Sequence, residues 1–211
     1  MAKRTPGMSK DKQVPPPPPD AVQMLRADHR RVRRLFDQWR AAVAEERSAI
    51  ARRIFAELEM HTLLEEELFY PAVQAKLATL AGEDLPGTDG YEEETVEDEG
   101  EALAVNAGAV NGMELEVVEE NDDDTDMEIV SAAYDSHQSL KELIQQLRAI
   151  DPSSGDFTEV LTELEETVLE HVGEEEETLL PMAAAQLDVV ALGLAMQRRR
   201  DDLTSQSSLA A

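Results

Sequence analysis

The sequence has no cysteine, few aromatic residues and few cations, and each shortage excludes or disfavours a class of protein. Without cysteine there can be no disulfide, no thiolate metal site and no cysteine nucleophile. Aromatic residues make up 4% of the 211 residues, which favours a helical protein with an aliphatic core over a β-sandwich. The 19 basic and 46 acidic residues give a net charge of −27, which disfavours binding to nucleic acid or to anionic membranes.

Long apolar runs are lacking as well. No segment approaches the roughly 18 consecutive apolar residues that a membrane span needs. The N-terminal sequence MAKRTPGMSKDK has no apolar core of the kind found in signal peptides. We therefore expect a soluble, cytoplasmic protein that does not associate with membranes.

Positive charge is missing from one long internal stretch, because no Lys or Arg occurs between Lys76 and Lys141. Within it, residues 81–126 are rich in acidic residues and glycine, and we predict an acidic, largely disordered insertion with a short helix around 113–120. This insertion is expected to be a solvated, self-repelling loop. The alternatives are that it gathers cations near a site or contacts a basic protein partner.

The rest of the chain predicts an all-α protein with a short leader. Residues 1–19 end in a proline run and are predicted to be a disordered leader. Residues 20–187 form the predicted domain, with Asp20 and Asp156 as helix N-caps, and 188–211 are predicted to be a C-terminal helix and polar tail. The predicted helices span residues 20–46, 48–80, 127–150, 156–187 and, more weakly, 188–200.

Each of the four main helices carries an apolar stripe at three-and-four spacing, and each stripe is interrupted by one histidine. The four histidines of the chain are His29, His61, His137 and His171. If a helix commits about two positions in seven to its buried face, chance places all four there in about 1% of cases. Two of the stripes are also interrupted by a glutamate, Glu65 or Glu175.

These interruptions indicate a metal site. A buried carboxylate costs several kcal/mol unless it is protonated, paired or bound to a cation. Glu65 and Glu175 each follow a histidine by four residues, so carboxylate and imidazole lie on one helix face. Imidazole with carboxylate suits iron, manganese or zinc, and six ligands suit two ions bridged by two carboxylates better than one zinc. The alternative is a set of core histidines hydrogen-bonded to carbonyl groups.

The pattern occurs twice. In each half, a helix with one histidine precedes a His-x-x-x-Glu helix, the two histidines being 32 or 34 residues apart, and a proline follows ten residues after the second. We therefore predict an antiparallel up-down four-helix bundle built from two related helical hairpins, with metal between them. Pro71 and Pro181 are expected to kink their helices. Beyond the glutamates, the apolar stripes are predicted to continue through Leu68, Ala72, Leu179 and Met182.

Four motifs carry a resemblance to a known family: LRADHRRVRRLF, ELEMHTLLEEELFYP, YDSHQSL and EHVGEEEETLLP. Together they resemble the hemerythrin-like family, whose domain is also called the HHE cation-binding domain, over about residues 20–187. The resemblance implies a non-haem di-iron centre in the bundle, with two iron ions joined by an oxo or hydroxo bridge. It implies as terminal ligands His29, His61, His137 and His171, and as bridging carboxylates Glu65 and Glu175.

One departure from oxygen-carrying hemerythrins bears on function. Lys141 stands four residues after His137, where those carriers have a further histidine, and Glu175 stands where they have an aspartate. A site with fewer protein ligands can accept water, oxygen, peroxide or nitric oxide. Lys141 is a candidate to orient an anion at the site, or else it extends to water. Tyr134, one turn before His137, could support a ligand or trap a radical, or it could be an ordinary residue of the core edge.

The resemblance therefore implies an iron protein that interacts with O2, NO or peroxide as a sensor, a scavenger or a peroxide-decomposing protein. Whether it is an enzyme stays open, as does its oligomeric state. The alternatives are iron storage or sensing without catalysis, and an interaction module that has lost its metal, against which the complete ligand set argues.

Glu65 and Glu175 each lie in a run of consecutive glutamates, Glu65–Glu67 and Glu174–Glu177. In the second run, Glu174, Glu176 and Glu177 are predicted to face solvent or the helix flank, and in the first run the predicted ligand is Glu65 and not Glu66 or Glu67. Replacing Glu174 or Glu176 with alanine is accordingly expected to leave the iron content unchanged.

Overall fold

The computed structural model describes residues 18–80, 82 and 122–209. Residues 1–17 of the leader, most of the acidic insertion with its expected helix at 113–120, and the last two residues lie outside the described part. Within that part, the chain forms five helices and no strand.

Three helices are α-helical throughout, namely α1 (Ala21–Ala41), α3 (Asp122–Ala149) and α5 (Val189–Leu209). The other two each contain one π-helical turn. Helix α2 is α-helical over Ala44–Leu64, π-helical over Glu65–Phe69 and α-helical again over Tyr70–Leu80. Helix α4 consists likewise of Gly155–Glu174, the π-helical turn Glu175–Leu179, and Leu180–Gln186.

The predicted antiparallel four-helix bundle is confirmed. Helices α1 and α2 pack as one hairpin, and α3 and α4 pack as the other. The two hairpins meet mainly through the C-terminal half of α2 against α3, and through α1 against α4. Among the described residues no single helix is long and apolar enough to cross a membrane. Only α4 and α5 together, bent by 112° at their junction, meet the length and composition of a span.

The helix starts follow local capping. Asp20 caps α1 as predicted, accepting a hydrogen bond from the backbone N–H of Gln23 at 3.1 Å. The prediction that Asp156 caps α4 is wrong. Ser154 is the N-cap, and its hydroxyl accepts from the Phe157 N–H at 3.1 Å. Asp156 lies in the first turn instead, where its negative charge is favourable near the helix N-terminus.

The helices also extend into sequence that was expected to be irregular. Helix α3 begins at Asp122, inside the acidic stretch, and α5 continues to Leu209, through the expected polar tail. Along α5, polar side chains pair at helical spacing, as in the hydrogen bond from the Gln197 amide to Asp201 at 2.7 Å. Such local pairs support a helix whose polar composition alone suggests a tail.

Helix α5 lies across the first hairpin and makes most of its contacts with α1 and α2. Met196 is fully buried there, and Arg200 pairs with the buried Asp28 beside His29. The helix passes so close to the start of α1 that a Cβ on Gly193 would lie 2.5 Å from the Pro19 carbonyl oxygen. Only glycine allows that approach.

Each proline lies two residues after the end of a π-helical turn, and the helix continues past it. Pro71 has no N–H for the Glu67 carbonyl, and in an α-helix its ring would collide with that carbonyl. The wider turn before Pro71 is closed by the Tyr70 N–H bonding to the Glu65 carbonyl, five residues back.

The extra residue in each π-helical turn shifts the buried face of the helix that follows. Beyond Glu65 the core residues are Phe69, Tyr70 and Val73, whereas the predicted Leu68 and Ala72 are only half-buried. In α4 the buried residues after the turn are Leu179, Leu180 and Ala183, and the predicted Met182 is half-buried. The stripes extrapolated at pure α-helical spacing are therefore wrong by one residue, except at Leu179.

Two apolar clusters fill the bundle, one on each side of a polar layer. One contains residues such as Phe36, Ile54 and Leu164, and the other contains residues such as Leu25 and Leu180. The histidines and the two stripe glutamates occupy the layer between them, where both clusters shield them from water.

Candidate metal centre

The structure brings together all six residues that the sequence singled out. They are His29, His61, Glu65, His137, His171 and Glu175, and none is more than 3% exposed. Each of the four bundle helices contributes one histidine, and the two helices with a π-helical turn also contribute a glutamate at its first residue. The repeated His-x-x-x-Glu spacing therefore brings six polar groups together inside the bundle.

The donor atoms form two overlapping groups. His29, His61, Glu65 and Glu175 offer atoms that all lie within 4.8 Å of one another, and so do Glu65, His137 and His171. Glu65 belongs to both groups. The second glutamate also spans the hairpins, with its Oε2 atom 3.3 Å from His29 Nε2 and 3.8 Å from His171 Nε2.

Several of these donor atoms lie close together and yet have no hydrogen-bond partner. His61 Nε2 and His137 Nε2 lie 3.1 Å and 3.2 Å from the same Glu65 oxygen. Even so, both Glu65 oxygens, His29 Nε2, His61 Nε2 and Glu175 Oε2 have no hydrogen-bond partner among the described residues. An unsatisfied buried polar group costs about 1–3 kcal/mol, and more when it is charged. Imidazole nitrogens and carboxylate oxygens facing one another in this way fit a divalent or trivalent cation of the iron, manganese or zinc type.

Three of the histidines are held in the form that binds metal. Burial lowers the pKa of His61 well below its usual value, and the neighbouring His29 lowers it further. Burial and the adjacent His171 lower the pKa of His137 to about 4. Burial also lowers the pKa of His171. These imidazoles are neutral at pH 7, which metal binding requires.

The two carboxylates are held in different states. Burial raises the pKa of Glu65 well above its usual value, and the nearby charge of Glu175 raises it further. Burial alone would raise the pKa of Glu175 too, but contact with His29 and the surrounding histidines outweighs burial and holds it well below the usual range. Without a cation, the centre accommodates one negative charge, and a metal would allow the second carboxylate to ionise.

A second pair of glutamates supports two of the histidines from behind. Glu176 lies 2.9 Å from His29 Nδ1, and Glu66 lies 3.0 Å from His137 Nδ1. Each carboxylate therefore accepts from a histidine of the other hairpin when that Nδ1 is protonated, which leaves Nε2 free to bind a metal. Glu176 was expected to face solvent or the helix flank, which is wrong, and Glu66 was not a predicted site residue; the structure places both glutamates against histidines of the centre. They are only 22% and 30% exposed, in the same π-helical turns as Glu65 and Glu175.

Lys141 reaches the centre indirectly. Its ammonium lies 2.6 Å and 2.7 Å from the two oxygens of Glu66, and Glu66 in turn contacts His137. Among the described residues, no lysine or arginine is paired with Glu176 in this way. The two halves of the centre thus have ligands of the same types. They differ because a lysine, Lys141, pairs with the glutamate that contacts His137.

Sequence reasoning did not single out Tyr70 as a residue of the site. Its hydroxyl donates to Glu175 Oε1 at 2.7 Å and lies 3.1 Å from His137 Nε2. Tyr70 comes five residues after Glu65, a spacing that shares a face only across a π-helical turn. The candidate Tyr134 is half-buried and packs edge-on against the Tyr70 ring, with centroids 5.0 Å apart. Tyr134 therefore contacts the tyrosine that supports the ligands.

Comparison with known proteins bears on the first hairpin. The family model described as the hemerythrin HHE cation binding domain matches residues 20–107. That range contains α1, α2 and the candidate ligands His29, His61 and Glu65, while the second hairpin lies beyond it. No curated protein and no solved structure matches the chain. The matched domain, with the helical bundle and its buried His/Glu groups, confirms the resemblance of this chain to the hemerythrin-like, HHE cation-binding family.

Proposed function

We propose that the protein holds two iron ions in this centre. In this proposal His29 and His61 would hold one ion, His137 and His171 would hold the other, and Glu65 and Glu175 would be the carboxylates shared between them. The observation that carries the proposal is the shared position of Glu65 in two separate groups of buried donor atoms. A single ion would leave one pair of histidines unsatisfied.

We further propose that the centre binds a small ligand derived from oxygen or nitrogen, namely O2, NO or peroxide, as a sensor, a scavenger or a peroxide-decomposing protein. Two histidines and two shared carboxylates per ion leave room for a further ligand at each. When bound, iron supplies redox change and Lewis acidity.

The chain's own residues prepare the centre for that role. Burial keeps the imidazoles of His61 and His137 neutral, and Glu66 and Glu176 fix the orientation of His137 and His29. Tyr70 holds one oxygen of Glu175 through its hydroxyl proton. Burial, followed by the charges of Glu65 and Glu175, raises the pKa of Tyr70 well above its usual value, so it stays a donor.

The test is to purify the protein without oxygen, measure iron per chain, and record visible spectra on adding O2, NO and peroxide. About two irons per chain, with a charge-transfer band typical of bridged di-iron centres, is the expected result. Reversible colour with O2 or NO would indicate a sensor, and steady consumption of peroxide would indicate an enzyme. Tightly bound zinc with no response to any ligand would contradict the proposal.

Iron storage or sensing is the second candidate function. It is favoured by the unsatisfied donor atoms, because burying them without metal makes folding depend on metal occupancy. A protein of that kind would release its iron to a chelator and change stability, with no spectral response to O2, NO or peroxide.

A further inference from the structure

A cavity of about 250 Å³ lies between α3 and α4 and extends to the metal centre. Two candidate ligands, His171 and Glu175, are among its lining residues, and both are at least 98% buried. His171 Nδ1 and Glu175 Oε2 have no hydrogen-bond partner among the described residues. Because a water molecule in liquid occupies about 30 Å³, the cavity has room for a diatomic molecule or hydrogen peroxide. It therefore connects unsatisfied polar atoms of the centre with the outside of the bundle.

Small side chains keep this gap open. Helix α3 contributes Ala132 and Ala133 to the lining, of which Ala132 is exposed and Ala133 is buried. The first hairpin differs, because α5 lies across it with Met196 buried and Arg200 paired with Asp28 beside His29. In the described part of the chain, the α3–α4 side thus offers the centre an apolar passage with alanine walls.

The mouth of the cavity is acidic. Glu174 and Glu177 of α4 line it and are exposed, and the lining includes no lysine or arginine. The chain as a whole carries a net charge of −27, which adds to the same field. Carboxylates at a narrow entrance repel anions and leave neutral molecules unaffected.

We propose that this cavity is the path by which the small ligand reaches the centre, and that its acidic mouth favours uncharged molecules over anions. The inference rests on the proposed function and narrows it to O2, NO and hydrogen peroxide, as against superoxide, nitrite or azide. The alanine side chains of α3 keep the path open, and Glu174 with Glu177 sets the charge limit.

The path is tested with Ala132→Phe in the iron-loaded, full-length protein, measuring the association rate of nitric oxide by stopped flow. A phenyl group at this exposed position fills the passage, so we expect association to slow by about tenfold or more with iron content unchanged. The matched control is Ala184→Phe, at an exposed alanine of α4 that does not line the cavity. Equal rates in the two variants would overturn the inference. If Ala132→Phe loses its helical circular dichroism or its iron, Ala132→Met makes the same test with a smaller side chain.

The charge limit is tested with Glu174→Gln/Glu177→Gln, measuring azide and nitric oxide separately. Azide association is expected to rise by about three- to tenfold and to become less sensitive to salt, while that of nitric oxide stays the same. The control pair is Glu166→Gln/Glu170→Gln, two exposed carboxylates of α4 outside the cavity. An equal response of azide to both pairs would contradict the acidic mouth.

Measurements on the wild-type protein show whether the proposed function fails or only the inference about the cavity fails. If it takes up no iron, or responds to none of the ligands, the proposed function fails and the inference fails with it. If it binds nitric oxide and the Ala132 variants bind it as fast as the Ala184 control, only the inference fails.

Discussion

Neighbouring glutamates have different roles in the two runs of acidic residues. Glu175 faces the candidate metal centre, the next residue Glu176 contacts His29 from behind, and Glu177 lies at the mouth of the α3–α4 cavity. The first run repeats the division, with Glu65 in the centre, Glu66 behind His137 and Glu67 paired with Arg199 on the surface. Position relative to the bundle, and not chemical type, decides what each carboxylate does.

Replacing the supporting glutamates should therefore weaken the centre, which revises the expectation from sequence that Glu176→Ala leaves the iron content unchanged. Glu66→Ala and Glu176→Ala each remove the partner of a histidine Nδ1, so we expect iron affinity to fall by about 10- to 100-fold. Competition with a chelator of known affinity measures the change. The control is Glu174→Ala, which should keep the wild-type affinity. Identical behaviour of the Glu174 and Glu176 variants would show that the contact with His29 contributes nothing.

The hydroxyl of Tyr70 should contribute to the stability of the metal-free protein. Tyr70→Phe leaves a buried oxygen of Glu175 without its donor, which costs about 1–3 kcal/mol in the free energy of unfolding. Urea denaturation at neutral pH gives the value. Tyr134→Phe is the matched control, because Tyr134 is half-buried and contacts the Tyr70 ring. Equal effects of the two substitutions would contradict the assigned role.

At the level of the elements, the π-helical turns combine two requirements. Each turn accommodates a proline that an α-helix would reject, and each sets the face that the rest of its helix buries. In α2 the turn also places Tyr70 at the centre, five residues beyond Glu65. Because the same turn occurs in both hairpins at the same distance from the histidine, the two halves of the centre match.

The packing of α5 predicts opposite effects for two glycines. Gly193→Ala would place a methyl group 2.7 Å from the Ala21 backbone nitrogen, forcing α5 away from α1, and should destabilise the protein by about 1–3 kcal/mol. Gly173→Ala, in α4, has nothing within 4 Å of the new Cβ and should stabilise it by about 0.5–1 kcal/mol. Urea denaturation of both variants checks the pair. Equal stability changes would mean that α5 does not pack tightly on α1.

At the level of the whole molecule, a polar layer divides the apolar core into two clusters. Folding without metal therefore buries donor atoms that have no partner, and bound metal should stabilise the fold by linkage. The hairpins are also tied together across this layer, since Glu66 of the first contacts His137 of the second and Glu176 of the second contacts His29 of the first.

The metal-free protein should lose stability as pH falls from about 6.5 towards 4. Burial lowers the pKa values of His61, His137 and His171, so the unfolded chain binds protons in this window that the folded chain does not. The raised pKa of Glu65 has the opposite effect, because the folded chain then binds a proton more tightly than the unfolded chain. We expect the three histidines to outweigh this one glutamate. Urea midpoints between pH 5 and 7.5 measure the slope. A flat profile would show that these histidines are not held neutral.

The helix count, the bundle and the six residues at its centre follow from the sequence because they rest on local periodicity. Histidines and glutamates that replace apolar residues at three-and-four spacing must lie on the buried face of an α-helix. Two similar hairpins then leave one place where all six can meet. The cap at Asp20 is equally local, and it was predicted correctly.

Only the tertiary structure decided the rest, because the rest depends on contacts between distant segments or on departures from α-helical spacing. The π-helical turns shift the register by one residue, so Tyr70 and the buried residues after Glu65 could not be placed from α-helical periodicity. The contact between Glu176 and His29 joins residues 147 positions apart, which spacing along one helix does not reveal. The helical tail, the close approach at Gly193 and the cavity between α3 and α4 likewise appear only once the helices are packed.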